Sequence, residues 1–391
     1  MTITDDSSDS PQKVTLSGVV RRLALLQTTD ARAELASTNS AAVPSPTGQN
    51  VVGTRVLELV DRARQDPYLS DGSKRELAIR LWYPVSSHWT GDCKLAEYAP
   101  AAVWGFFAQL VGVKQFPVVT NSCLDAPVSE GAHPVILLTP GYTGTFTDYT
   151  FLTEDLASRG YVVVGVDHTY EATAVAFSNG KLARSLVGSH LGDSEQRDRH
   201  SLSFAVNVRI KDLQFVIDEL ARLNASGDSQ FAGRLDLSKI VVIGHSLGGL
   251  TALLSNDADP HVKGAILLDP ILPDVLPGST TKPVLILAAD RKQWDRNECQ
   301  LWNNLRGPRL AVSLQGSEHV ALSDWIWLAK DAVHTGPMGP EKTLSALREY
   351  VAAFLDSNLR GEPVAPFLNG PAADYPDARV VVQEQGLCGK P

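Results

Sequence analysis

From residue 77 onward the chain alternates short, unbroken apolar runs with longer amphipathic stretches, and this alternation limits its folds more than any other feature. The runs are Leu77–Tyr83, Val135–Leu138, Tyr161–Val166, Ile240–Ile243, Ala265–Leu268, Val284–Leu287 and Leu310–Leu314. A strand with one face in water alternates apolar and polar residues. Several of these runs have no polar break, which is the pattern of strands covered on both faces. Between them, Val206, Ile210, Leu213, Ile217 and Leu220 recur at spacings of 4, 3, 4 and 3 and form one helical stripe. Asp148–Arg159, stopped by Gly160, and Glu341–Leu355 read the same way. Strand and helix repeated in this order predict an α/β fold: a mostly parallel central sheet flanked by helices, in one domain.

Two segments break the rhythm inside that domain, which we take as residues 51–391. The insertion at about 86–132 carries Trp89, Tyr98, Trp104, Phe106, Phe107 and Phe116 and is aromatic enough to cap something. The insertion at about 181–203 carries Asp193, Glu195, Arg197, Asp198 and Arg199 and reads as solvated. Residues 1–50 read as a partly disordered N-terminal arm, because Ser, Thr, Asn, Pro and Gly dominate 37–50. A short docked helix over 19–35 fits Val19, Val20, Leu23, Leu26 and Leu35.

Charge and hydropathy exclude whole classes of function. Lys and Arg number 35 against 44 Asp and Glu, with no basic run, so nucleic acid is not an expected partner. The longest apolar stretch, Ala99–Ala108, contains Pro100 and is too short to span a bilayer. Residues 1–10 are polar and acidic where an export signal is basic and then apolar. The chain therefore reads as cytoplasmic, or as secreted if a leader has been removed. Cys93, Cys123, Cys299 and Cys388 are scattered, without metal-ligand spacing. Four free thiols are expected, with Cys93–Cys123 the alternative bridge.

The chemistry is carried by Gly244-His245-Ser246-Leu247-Gly248-Gly249. A bare G-x-S-x-G recurs by chance, but here an apolar strand precedes it and a helix-like segment, Leu250–Leu254, comes after. That is the setting of a nucleophile elbow, with Ser246 projecting from a sharp turn above the sheet. A serine hydroxyl needs a base and an orienting carboxylate, in chain order after it. His319, in Gln315-Gly316-Ser317-Glu318-His319 directly after a strand, stands where that base belongs. His261 precedes a strand and His334 lies in a connection, so both read as bystanders. Asp269 and Asp290 each end a strand on the same rim, and pattern alone chooses neither, although the common hydrolase arrangement would take the later one. The oxyanion hole is expected from the N–H of Leu247 and that of Tyr142, in the turn Thr139–Gly144. Asp167-His168 ends a strand on this rim but precedes Ser246, and reads as structural support.

The motif Gly244–Gly249, Asp269 in Leu267-Leu268-Asp269, and Gly316–His319 followed by Asp324-Trp325 resemble the plasma-type platelet-activating-factor acetylhydrolases. More narrowly, they resemble that family's microbial α/β-hydrolase relatives. The resemblance extends to Arg80–Pro84, Pro140-Gly141, Asp155–Val163 and Val166–Glu171, and covers most of residues 75–330. At Pro140 the family often has His, and the aromatic insertion is this chain's own. The resemblance implies a serine esterase acting on short or oxidised acyl groups, without calcium, another metal or any cofactor, and implies Asp269 as the acid. The expected partner is a small-molecule acyl ester or thioester, in an apolar pocket capped by Trp104, Phe106, Phe107 and Trp325 or Trp327. Those aromatics also suit plain core packing. Two other functions use the same residues: a biosynthetic thioesterase, acyltransferase or cyclase, and a catalytically silent binding protein on the hydrolase fold.

Overall fold

The computed structural model describes residues 41–111, 116–187, 195–274, 279–291, 293–329 and 331–382. The expected helix at 19–35, Asp193 and Cys388 lie outside the described residues. The uninterrupted runs become β3 (Lys74–Pro84), β6 (His133–Thr139), β7 (Val162–Asp167), β10 (Leu235–His245), β11 (Val262–Leu268), β12 (Val284–Ala288) and β13 (Arg309–Leu314). β7, β6, β10, β11, β12 and β13 lie side by side in that order, all parallel. β3 joins β7 antiparallel, and β2 (Val52–Gln65) joins β3 antiparallel. At the far edge β14 (Ala378–Val382) pairs antiparallel with β13.

Successive residues of these strands feed two apolar layers. Ile136, Leu138, Val163, Ile243 and Leu268 face one; Val135, Leu137, Val162, Val242 and Leu267 face the other. Each fully buried aliphatic side chain is worth about 1.5–3 kcal/mol, so a sheet apolar on both faces is held from both sides. Around it lie the helices α2 (Thr150–Ser158), α3 (Glu195–Ala225), α4 (Leu247–Ala258), α5 (Arg296–Asn304), α6 (Trp325–Leu328) and α7 (Pro340–Leu355). Among the described residues no helix is long and apolar enough to cross a membrane.

The two insertions carry secondary structure of their own. Residues 86–132 form β4 (Leu95–Glu97), α1 (Ala101–Val111) and β5 (Val118–Leu124). β5 pairs with β2, and with β1 (Ala41–Ala42) on its other side, so β5 widens the central sheet, while the aromatic residues of the insertion lie outside β4 and β5. Residues 41–50, grouped with the arm by composition, pack on the body. Val43 is buried, and Thr47 and Gly48 bond Asp155 and Ser158 of α2. The second insertion gives β9 (Leu182–Arg184), which pairs antiparallel with β8 (Ala174–Ala176) just before it, and then the first two turns of α3 from Glu195. Charged, straight-chain residues carry no apolar stripe yet suit a helix well.

The thiol expectation is overturned. Cys93 and Cys123 form a disulfide with Cα atoms 5.0 Å apart, and Cys299 is also disulfide-bonded. The antiparallel pairing of β4 with β5 sets Leu95 opposite Cys123, which brings two cysteines 30 residues apart into bridging range. Replacing both with alanine is expected to lower stability by about 3 kcal/mol, read as a lower urea midpoint.

Candidate active site

Ser246 stands at the junction of β10 and α4 with φ 57° and ψ −119°, a positive-φ conformation that costs a non-glycine residue about 1–3 kcal/mol. Glycines make the turn sterically feasible. A Cβ on Gly244 would lie 2.0 Å from the Gly248 carbonyl oxygen, and one on Gly248 would lie 2.1 Å from that of Thr139. The strained residue is pinned on both sides. Its N–H donates to Leu268 (2.9 Å), and its carbonyl accepts from Gly249 and from Ile271 (3.0 and 3.1 Å). The side chain therefore sits at the start of a helix, where unpaired N–H groups and the helix dipole favour developing negative charge.

Register then brings the acid alongside. Gly244 and His245 of β10 face Leu267 and Leu268 of β11, so the next residues along each strand, Ser246 and Asp269, leave adjacent strand ends. Asp269 itself has φ 40°. Its Oδ2 accepts from His319 Nδ1 at 2.5 Å. Its Oδ1 accepts from the Ala289 N–H (3.0 Å) and the Arg291 guanidinium (2.8 Å). Burial opposes charge on this carboxyl, but Arg291 and the His319 hydrogen bond prevail and hold it well below the usual carboxylate range. With Nδ1–H committed to Asp269, neutral His319 keeps its Nε2 lone pair for a proton. Asp290, left open by pattern, takes another position: its Oδ2 accepts from the Gly316 N–H at 3.1 Å and braces the loop that carries His319.

The turn Thr139–Gly144 meets Ser246 from the other side, a Cβ placed on Gly141 falling 3.5 Å from the Ser246 Cβ. Sequence reading missed what holds this turn. Arg209 of α3 is buried and donates to the Pro140 carbonyl (2.5 Å), the Gly141 carbonyl (3.0 Å) and Thr139 Oγ1 (3.3 Å). Its other face is bound by Glu171 through two hydrogen bonds. A trans peptide points its C=O and the next N–H in opposite directions. Anchoring the Gly141 carbonyl on Arg209 therefore turns the Tyr142 N–H away from Arg209. Thr173 fixes the Thr143 carbonyl as well (2.8 Å). The nearest sequence signal was a charge beside an apolar helical stripe, which normally marks a solvated edge.

The remaining candidates make contacts of their own. Trp104 and Phe107 are buried in one of the two core layers. Trp104 Nε1–H donates to Phe116 (2.8 Å), and the Phe107 ring lies 5.7 Å from Trp325. Phe106 is half-buried under the Arg184 guanidinium. Trp325 opens α6, one residue after Asp324. Asp324 caps the start of α2 by accepting from the Thr150 and Phe151 N–H groups, and so ties the His319 segment to that helix. His168 bonds Thr139 Oγ1 and Asp212, His261 bonds Asp259, and exposed His334 pairs with Glu318. Among the described residues no group of three or more His, Cys, Asp and Glu could hold a metal.

The family model described as platelet-activating factor acetylhydrolase, isoform II, matches residues 35–362. A probable 1-alkyl-2-acetylglycerophosphocholine esterase of Arthroderma benhamiae is 23% identical over 381 residues, covering 87% of this chain and 93% of its own. The platelet-activating factor acetylhydrolase of Gallus gallus is 21% identical over 356 residues, covering 81% of this chain and 83% of its own. Among solved structures, a ferulic acid esterase from Streptomyces cinnamoneus is similar with a TM-score of 0.72 and 30% identity, over 88% of this chain and 99% of that one. With the family match spanning most of the chain and a serine at a strand-to-helix elbow beside a His–Asp pair, the chain belongs to the platelet-activating factor acetylhydrolase, isoform II, family of carboxylic ester hydrolases.

Proposed function

We propose that this chain hydrolyses small carboxylic esters with a short acyl group through an acyl-serine intermediate on Ser246. The observation that carries the reading is the 2.5 Å bond between His319 and Asp269, on the strand end next to Ser246. In the proposed cycle Ser246 Oγ attacks the ester carbonyl as its proton passes to His319 Nε2, while Asp269 stabilises the imidazolium. The carbonyl electron pair moves onto oxygen, held by the N–H groups of Leu247 and Tyr142. Collapse expels the alcohol, which takes the proton from His319. A water then attacks the acyl carbon as His319 takes its proton, and breakage of the bond to Ser246 Oγ releases the acid while His319 returns the proton to Oγ.

The relatives support the acyl side of this reading. Those named for acetylated lipids carry a two-carbon acyl group, and the solved neighbour is named for a small aromatic acid. Disulfides at Cys93–Cys123 and Cys299 support work in an oxidising compartment rather than in the cytosol. The test is a panel of p-nitrophenyl esters from acetyl to octanoyl, with fluorophosphonate labelling followed by peptide mapping. Expected are a burst of nitrophenol equal to the enzyme, a label on Ser246, and kcat/KM falling roughly tenfold or more across the panel. An unlabelled wild-type chain sinks the mechanism. A flat or rising profile sinks the short-acyl assignment.

A further inference from the structure

His245, the residue between the elbow's first glycine and Ser246, is buried and is the centre of a hydrogen-bonded chain. The Gly141 N–H donates to Tyr149 Oη at 3.2 Å. Tyr149 Oη lies 2.9 Å from His245 Nδ1, and His245 Nε2 lies 2.9 Å from the His319 carbonyl oxygen. Only one placement of hydrogens satisfies a neutral ring. The His319 carbonyl can only accept, so Nε2 carries the hydrogen and Nδ1 keeps its lone pair. The Tyr149 hydroxyl must then donate to Nδ1, which leaves its oxygen free to accept from Gly141.

The chain begins at the residue before Tyr142 and ends on the main chain of His319. We infer that Tyr149 and neutral His245 are positioning residues that lock the oxyanion turn and the base loop into one mutual geometry. Neither touches the reacting atoms in this scheme; both act through groups that do. Geometry also explains why the ring must stay neutral. The His245 and His319 rings lie with centroids 4.4 Å apart, tilted at 33°, so a charge on His245 would oppose the imidazolium that His319 becomes. Burial, with the His319 charge second, pushes the His245 ring down to about 3 and keeps it neutral. A proton on Nδ1 would also meet the Tyr149 hydroxyl hydrogen and break the chain at its centre.

This inference rests on the roles proposed above for Ser246, His319 and Tyr142, and its test separates the two. Tyr149→Phe deletes a single oxygen. It is expected to lower kcat for p-nitrophenyl acetate about tenfold with KM within about twofold, since the donors are displaced and not removed. His245→Phe should lose more. His245→Gln, whose amide offers one acceptor and one donor, should recover part of kcat, while thermal unfolding shows each variant folded. A purely structural role would lower the melting temperature without this split and without rescue by Gln. Tyr149→Phe turning over like wild type beside an inactive Ser246→Ala overturns the positioning role alone. Equal losses in His245→Gln and His245→Phe also overturn it. Turnover by Ser246→Ala overturns the triad reading, and the positioning role with it.

Discussion

Ser246→Ala is expected to lower kcat about 10⁶-fold while the protein remains folded. The serine hydroxyl is the only group in the elbow that can form the acyl bond. The backbone at φ 57° is held by hydrogen bonds to Leu268, Gly249 and Ile271 that alanine keeps. Alanine tolerates that conformation no better and not much worse than serine, so thermal unfolding should shift little. The residual rate should still exceed that of water by about 10³–10⁴, because the N–H groups of Leu247 and Tyr142 remain. Steady-state turnover of p-nitrophenyl acetate, backed by a sensitive fluorogenic ester, reads both numbers. A variant within tenfold of wild type would remove Ser246 from the chemistry.

Asp269→Asn is expected to cost about 10⁴-fold in kcat near neutral pH. An amide cannot accept as a charged carboxylate does. It can also present its NH2 to His319 Nδ1, which forces the proton onto Nε2 and leaves no base toward Ser246. Arg291 loses one carboxylate partner at the same time and keeps Glu298. Asp290→Asn is the matched control. An amide oxygen can still accept from Gly316, so its loss should stay within about tenfold. Asp269→Asn also changes stability against pH. Because the folded protein holds the Asp269 carboxyl below its ordinary value, that carboxylate stabilises the fold above the unfolded carboxylate range. The contribution disappears as pH falls through the folded value. Urea midpoints of wild type and Asp269→Asn should therefore differ most at neutral pH and converge in acid.

Much of this arrangement could be read before any coordinates. Strands covered on both faces announce themselves as unbroken apolar runs, which is why β6, β7 and β10–β13 fell where expected. The strands flanking that block did not, for a physical reason. β2 carries Arg55, Glu58, Asp61 and Arg62 on a surface strand, β5 reads Val-Val-Thr-Asn-Ser-Cys-Leu, and β14 comes after a proline-rich connection. Each is held by pairing more than by burial, and pairing leaves little trace in hydropathy. The same divide runs through the site. Ser246 and His319 stood out because each comes directly after a strand at a motif. Asp269 and Asp290 are equivalent on that criterion, and only the direction in which each carboxylate points separates them. Arg209 with Glu171, and Tyr149 with His245, are partners 38 and 96 residues apart. No local spacing encodes such pairs.

Arg209 and Asp212, both buried on α3, set a rule for how this chain can change over evolutionary time. Arg209 grips the turn Thr139–Gly144, and three residues later Asp212 receives Arg75 and His168. Each residue added to a helix rotates its C-terminal remainder by about 100°. One inserted between these two would swing one charge away from its partners while the other stayed in place. Insertions and deletions can therefore be absorbed before this helical face begins or after it ends, but not within it. Those few residues act as an indel-intolerant frame, against which the lengths of the surrounding loops are free to drift.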